Sequence, residues 1–156
     1  MARRHARNPA AQDPNWPAYK ETVLEFRGSE PFRVWVAEPV VSTDRKQLLA
    51  LMPAGRFAVV TPFNPHGRTI PRAENDARMR RQESELAALG VRHLRVDGLA
   101  PDGSHCEEGF AIEVSRDQAR ALAAQWGQSA FFWFDGGAFW LVPAEVDAEP
   151  VRLPAD

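Results

Sequence analysis

The stretch Arg56-Phe57-Ala58-Val59-Val60-Thr61-Pro62, residues 56–62, decides the fold. Four apolar residues in a row are too few for a helix and lack the alternation of a strand with one wet face. They suit a short strand covered on both sides. Such a strand belongs in the middle of a sheet, with other elements packed above and below it.

Working outward from it, Ser42 or Thr43 is expected to cap a short helix running to Met52, ended by Pro53 and Gly55. Before that, 22–26 and 32–36 are β-rich runs parted by Gly28 and Pro31, which reads as a hairpin. Downstream, a loop over 62–69 leads to the longest helix, from Pro71 to Leu89, with a proline suited to the first turn and Gly90 as the stop. Its stripe Asn75, Met79, Gln82, Leu86 and Leu89 repeats at helical spacing. Strands follow over 91–96 and 110–114, separated by the polar loop 98–109. Ser115-Arg116-Asp117-Gln118 then has the form of a capping box. The last pair of strands, 130–135 and 138–142, flanks Gly136-Gly137, a two-residue hairpin signal. The expected order is ββαβαββαββ: a single α+β domain with a mixed β-sheet and about three packed helices.

The chain of 156 residues is 44% hydrophobic, close to average globular usage, so one core fits and two domains do not. The body is expected over 19–142. Residues 1–18 read as a loose basic, proline-containing arm, and 143–156 as a proline-containing acidic tail. A net charge of −2 lacks the positive field with which nucleic-acid binders collect phosphates. Cys106 is the single cysteine, so internal disulfides and cysteine metal clusters are excluded. No apolar run approaches the ~20 residues of a membrane helix, and no secretory signal opens the chain, so the reading is cytoplasmic with no membrane partner.

Chemistry is expected where the central strand gives way to the long helix, since open α/β sheets hold ligands at such crossings. Asn64 and Thr61 each precede a proline, Gly67 permits a tight turn, and Arg68 offers a planar grip on a phosphate or carboxylate. Asn75, one turn into the helix, should face the same space, and Gln128 is a further amide candidate. Glu108 is the candidate general base or partner for Arg68, although an ordinary ion pair is the commoner role for such a residue. His105, Cys106, Glu107 and Glu108 are adjacent and lack metal-ligand spacing, and no Walker or dinucleotide glycine loop occurs, so neither metal nor cofactor is expected. The aromatic run Phe131 to Phe134, with Phe139 and Trp140, is core if covered and a stacking or partner surface if bare.

Several of these residues together resemble a family. Asn64-Pro65, Ala73-Glu74-Asn75, Leu89-Gly90, Glu107-Glu108, Ser115-Arg116-Asp117-Gln118-Ala119 and Gly127-Gln128 are similar to motifs of the bacterial domain-of-unknown-function family 3293. The resemblance would span about Tyr19 to Val142. It implies a small bacterial single-domain protein and no particular reaction. Where the family commonly has a small hydroxyl residue at the long helix start, this chain has Pro71, so no side-chain cap is expected there.

The expected function is binding of a small anionic metabolite or nucleotide by Asn64, Arg68, Asn75 and Gln128, with the question of catalysis left open at Glu108. The rival expectation is a protein- or single-stranded nucleic-acid-binding module using the aromatic hairpin. A protein partner or a homo-oligomer is compatible with either.

Overall fold

The structure is a computed structural model that describes residues 16–145 and 148–155. Most of the basic arm read from the sequence, 1–15, lies outside the described residues. The elements are α1 (Trp16–Tyr19), β1 (Val23–Arg27), β2 (Pro31–Trp35), α2 (Ser42–Leu51), β3 (Phe57–Val60), α3 (Arg72–Leu89), β4 (His93–Leu99), β5 (Cys106–Ile112), α4 (Arg116–Gln125), β6 (Ala130–Phe134), β7 (Phe139–Pro143) and β8 (Val151–Arg152). A single 3-10 turn, Pro65–Gly67, stands between β3 and α3. The expected α+β order is contained in this list, with α1 and β8 added at its ends.

The strands form one sheet in the order β2-β1-β4-β5-β3-β6-β7-β8. Every ladder is antiparallel, which corrects the mixed sheet expected from the sequence. The physical reason lies in the crossovers. The connection β3-α3-β4 joins strands that run the same way, yet β5 is inserted between them; likewise β5-α4-β6 leaves a gap that β3 fills. Two interlocked split βαβ units give the βαββαβ, ferredoxin-like arrangement, in which helical crossovers coexist with purely antiparallel neighbours.

β3 is central and buried at all four positions, as its apolar run requires. Phe57 and Val59 face one core with Leu24, Phe26, Leu48, Met52, Phe134 and Phe139. Ala58 and Val60 face the other with Met79, Leu86, Phe110, Ala119, Ala123 and Trp126. Thus α2 covers one face, and α3 and α4 cover the opposite one. The first core is built of rings: Phe57 sits 5.2 Å from Phe134 and edge-on to Phe26 at 5.9 Å. Each fully buried ring contributes roughly 1.5–3 kcal/mol.

Local signals account for the helix ends. Gln118 N–H donates to Ser115 Oγ at 3.1 Å, and Ser115 N–H donates to Gln118 Oε1 at 2.9 Å, so the capping box forms. Pro71 is the N-cap of α3 and makes no side-chain cap bond. Val41, not Ser42 or Thr43, holds the N-cap of α2. Gly90 closes α3 in the left-handed region at φ 70°. On α3 the residues Asn75, Met79, Gln82 and Leu86 are buried, whereas Leu89 is exposed. Residues after 143, read as a tail, return to the sheet: β8 pairs with β7, and Leu153 is buried in the first core. A two-residue strand between prolines is too short to show a pattern in sequence.

Candidate functional site

The loop after β3 is built from residues that do not favour its shape. Asn64 has φ 47° and His66 φ 59°, the left-handed region that asparagine and histidine enter more readily than other non-glycine residues. Side-chain bonds hold it there. Asn64 N–H donates to Asn75 Oδ1 at 2.9 Å; Asn75 Nδ2 and the Ile70 N–H donate to Asn64 Oδ1 at 2.9 and 3.2 Å. Gln128 Nε2 donates to the Phe63 carbonyl at 2.8 Å, and Arg78 bridges the carbonyls of Pro62 and Trp126 at 2.6 and 2.7 Å. Burial, and then the charge of Arg81, lowers the Arg78 pKa, although a guanidinium keeps its proton. His66 N–H donates to the Gly127 carbonyl, and a Cβ at Gly127 would lie 2.8 Å from Pro65 Cβ, so only glycine admits the loop this closely.

The structure therefore brings Asn64, Asn75 and Gln128 into one network. Their bonds go mainly to each other and to loop backbone, the role most buried amides have. Arg68 is exposed and does not belong to this network.

Across β5 the neighbours Glu107 and Glu108 part company, because successive side chains of a strand point to opposite faces. Glu108 lies on the face that carries α3 and α4, where its Oε2 accepts from Arg72 at 2.8 Å and its Oε1 is 3.9 Å from Arg27. It is thus paired with Arg72, not with the expected Arg68. Asp97, opposite it on β4, is 4% exposed and accepts two bonds from Arg27. Glu25, opposite Asp97 on β1, pairs with Arg33. The hydrogen bond and charge of Asp97 raise the Arg27 pKa against the opposing effect of burial, with Glu108 and Glu25 adding to the rise.

Glu107 lies on the other face. Its Oε1 accepts from Asn64 Nδ2 at 3.2 Å and sits 3.4 Å from His105 Nε2. It is the polar end of a cavity of about 350 Å³ opening on that face. Leu24, Val59, Val96 and Leu141 form apolar walls, Tyr19 and Phe132 add rings, and Thr61 and Gln128 add polar groups to the lining. Gly98, in register between Leu24 and Glu107, adds no side chain to fill the space. Gly109 is needed for a different reason: a Cβ there would lie 2.6 Å from the Val60 carbonyl oxygen.

The sequence reading does not single out Glu107, His105 or Thr61 as site residues, and one signal distinguishes Glu107 from Glu108. Phe110 and Ile112 belong to the core under α3 and α4, and Glu108 shares their parity, while Glu107 shares that of Ala111 on the cavity face. Cys106 shows no sign of activation: burial, then the charges of Asp97 and Glu108, push its thiol pKa up, away from the reactive thiolate. In the aromatic hairpin Phe131, Trp133, Phe134 and Phe139 are buried, and Trp140 is half-buried with Nε1 donating to Asp135. Among the described residues no group of three His, Cys, Asp or Glu is arranged to hold a metal. No helix of the described residues is long and apolar enough to cross a membrane.

Residues 60–131 match the family described as "Protein of unknown function (DUF3293)", so the resemblance read in the sequence holds over that segment. The match runs from the end of β3 into β6 and contains the Asn64 loop, α3, Glu107 and Gln128. No curated protein and no solved structure matches the chain.

Proposed function

We propose that this domain binds a small organic molecule in the cavity between α1, the 100–105 loop and the sheet, with Glu107 at the polar end. The observation that carries the reading is the cavity itself. At about 350 Å³ it falls in the usual ~300–1,000 Å³ range of ligand pockets, and it joins mostly apolar walls to a few convergent polar groups. The clamped loop supports this: a hydrogen-bond chain from buried Asn75 through Asn64 to Glu107 fixes a carboxylate at the edge of an apolar space.

The anionic ligand expected from the sequence draws on Arg68, which does not line the cavity. Of the hairpin rings, Phe131, Trp133, Phe134 and Phe139 are buried and Phe132 and Trp140 are partly exposed, which favours the cavity over a stacking platform.

A thermal-shift screen of the full chain against nucleotides, sugar phosphates, carboxylates, amines and neutral aromatics tests the reading. A ligand at ~100 times its dissociation constant adds about 2.7 kcal/mol of stability, a shift of several degrees. Gly98→Val is the control, since a Cβ there meets its nearest neighbours at 3.7 Å and the larger side chain extends into the space. Hits lost in Gly98→Val, with the fold kept, support the cavity. Hits that persist in Gly98→Val but vanish in Arg68→Ala move the site to the loop and restore the anionic class. No hit in any class sinks the reading.

A further inference from the structure

From the charges around this cavity we infer that its ligand carries a protonated nitrogen, an amine or amidine, that docks on Glu107 while an apolar, ring-bearing body fills the space beyond. The inference rests on the cavity being the binding site and adds the chemical class of the occupant.

Three observations lead to it. The first is a carboxylate with spare capacity. Asn64 Nδ2 and His105 Nε2 both approach Oε1 of Glu107, and Oε2 has no hydrogen-bond partner among the described residues. An ionised carboxylate can accept about four bonds, so one oxygen is held in place and the other remains for a donor. The second is the absence of a competing lysine or arginine, His105 being a cation only when protonated. No lysine or arginine is among the described residues lining the cavity. The neighbouring carboxylates Glu25, Asp97 and Glu108 each have an arginine, but these lie on the opposite face of the sheet. The third is the wall. Leu24, Val59, Val96 and Leu141, with the rings of Tyr19 and Phe132, form a surface that a ligand body would cover, driving water away from Glu107.

Removing water from a carboxylate is unfavourable unless a partner replaces it. A positively charged donor supplies both the hydrogen bonds and the opposite charge, and charge-assisted bonds are about twice as strong as neutral ones. An alcohol supplies the bond alone. A second carboxylate or a phosphate would face Glu107 with like charge and no lysine or arginine between them.

The experiment holds the apolar body constant and varies the charge. The full-length protein is titrated with 2-phenylethylamine, 2-phenylethanol and phenylacetate, following amide chemical shifts and calorimetry at neutral pH. The amine is expected to bind at least tenfold tighter than the alcohol, with phenylacetate weakest. Glu107→Gln removes the charge and should bring the amine down to the level of the alcohol. Glu107→Asp keeps the charge and should retain part of the preference, which covers the case in which Glu107→Gln fails to fold. If the alcohol binds and Gly98→Val abolishes that binding, yet the amine gains nothing or phenylacetate binds best, the inference falls and the cavity reading stands. If none of the three binds, the inference falls and the broad screen decides the cavity reading; if Gly98→Val leaves all binding intact, both fall.

Discussion

Glu107 and Glu108 are neighbours in the chain and occupy opposite worlds. Glu108 belongs to a cross-strand row on the helix face, Glu25, Asp97 and Glu108, in which each carboxylate has its own arginine: Arg33, Arg27 and Arg72. Glu107, on the cavity face, is held by an amide and flanked by a histidine, with no arginine or lysine beside it. A carboxylate that the protein pairs internally has its charge answered in the folded state and contributes to stability. One left with an open oxygen at the end of an apolar space has its charge answered from outside, which is the condition for a recognition group. Under the proposed binding role, pairing separates structural from recognition charge, where residue type alone treats them alike.

The comparison breaks most visibly at Asp97. It is 4% exposed, and Asp97→Ala would leave Arg27 without its main partner. Because the Arg27 side chain is about half in water, the loss should fall below the roughly 3–5 kcal/mol of a wholly buried pair, at about 2 kcal/mol. Urea unfolding measures it. Binding of 2-phenylethylamine should not change. A variant as stable as the parent, or one that loses amine binding, would mean that the two faces are not independent.

Asn75→Ala comes next and tests the link between the loop and Glu107. It removes the acceptor of the Asn64 N–H and one donor to Asn64 Oδ1, at a buried position. A part-buried backbone group left unpaired costs about 1–3 kcal/mol, and about 1.5 is expected here. Faster amide exchange at Asn64 and Ile70 than elsewhere in the domain would locate the loss. The amine preference should weaken too, since Asn64 then holds Glu107 less firmly. Destabilisation with an unchanged preference would make both asparagines purely structural.

Much of this was legible in the sequence. The run Phe57 to Val60 marked the central strand because burial on both faces needs apolar residues at every position, and Ser115 to Gln118 marked a helix start through a local bond pattern. The Asn64 loop stood out because proline and glycine constrain it by themselves. The antiparallel pairing did not stand out, because which strand inserts between the halves of a crossover depends on contacts far apart in the chain. Strand β8 has only two residues. Arg72 was hidden for the same reason as the pairing: it meets Glu108 across 36 positions, and nothing near either residue announces it. Glu107 and Glu108 differ in another way: strand alternation puts the two carboxylates on opposite faces from sequence alone, but which face holds the cavity depends on packing between residues far apart in the chain.

A smaller loss of stability is expected at Glu108, and it bears most directly on the comparison. Glu108→Gln keeps the side-chain shape and a carbonyl acceptor for Arg72 while removing the charge. The Arg72 side chain is 65% exposed and also pairs with Asp76 at 2.9 Å, so water and a second carboxylate take over much of what Glu108 supplied. Exposed pairs contribute about 0.2–1 kcal/mol, and a loss near 0.5 kcal/mol is expected from urea unfolding. Glu107→Gln removes the same charge one residue earlier. It breaks no arginine pair, so its cost in stability should be smaller still, while its effect on amine binding is large. Opposite rankings of the two glutamine variants, one in stability and the other in ligand charge preference, are what pairing predicts. If both variants rank alike in both measurements, the face a carboxylate occupies does not decide its role, and the division between the two sides of β5 has no functional meaning.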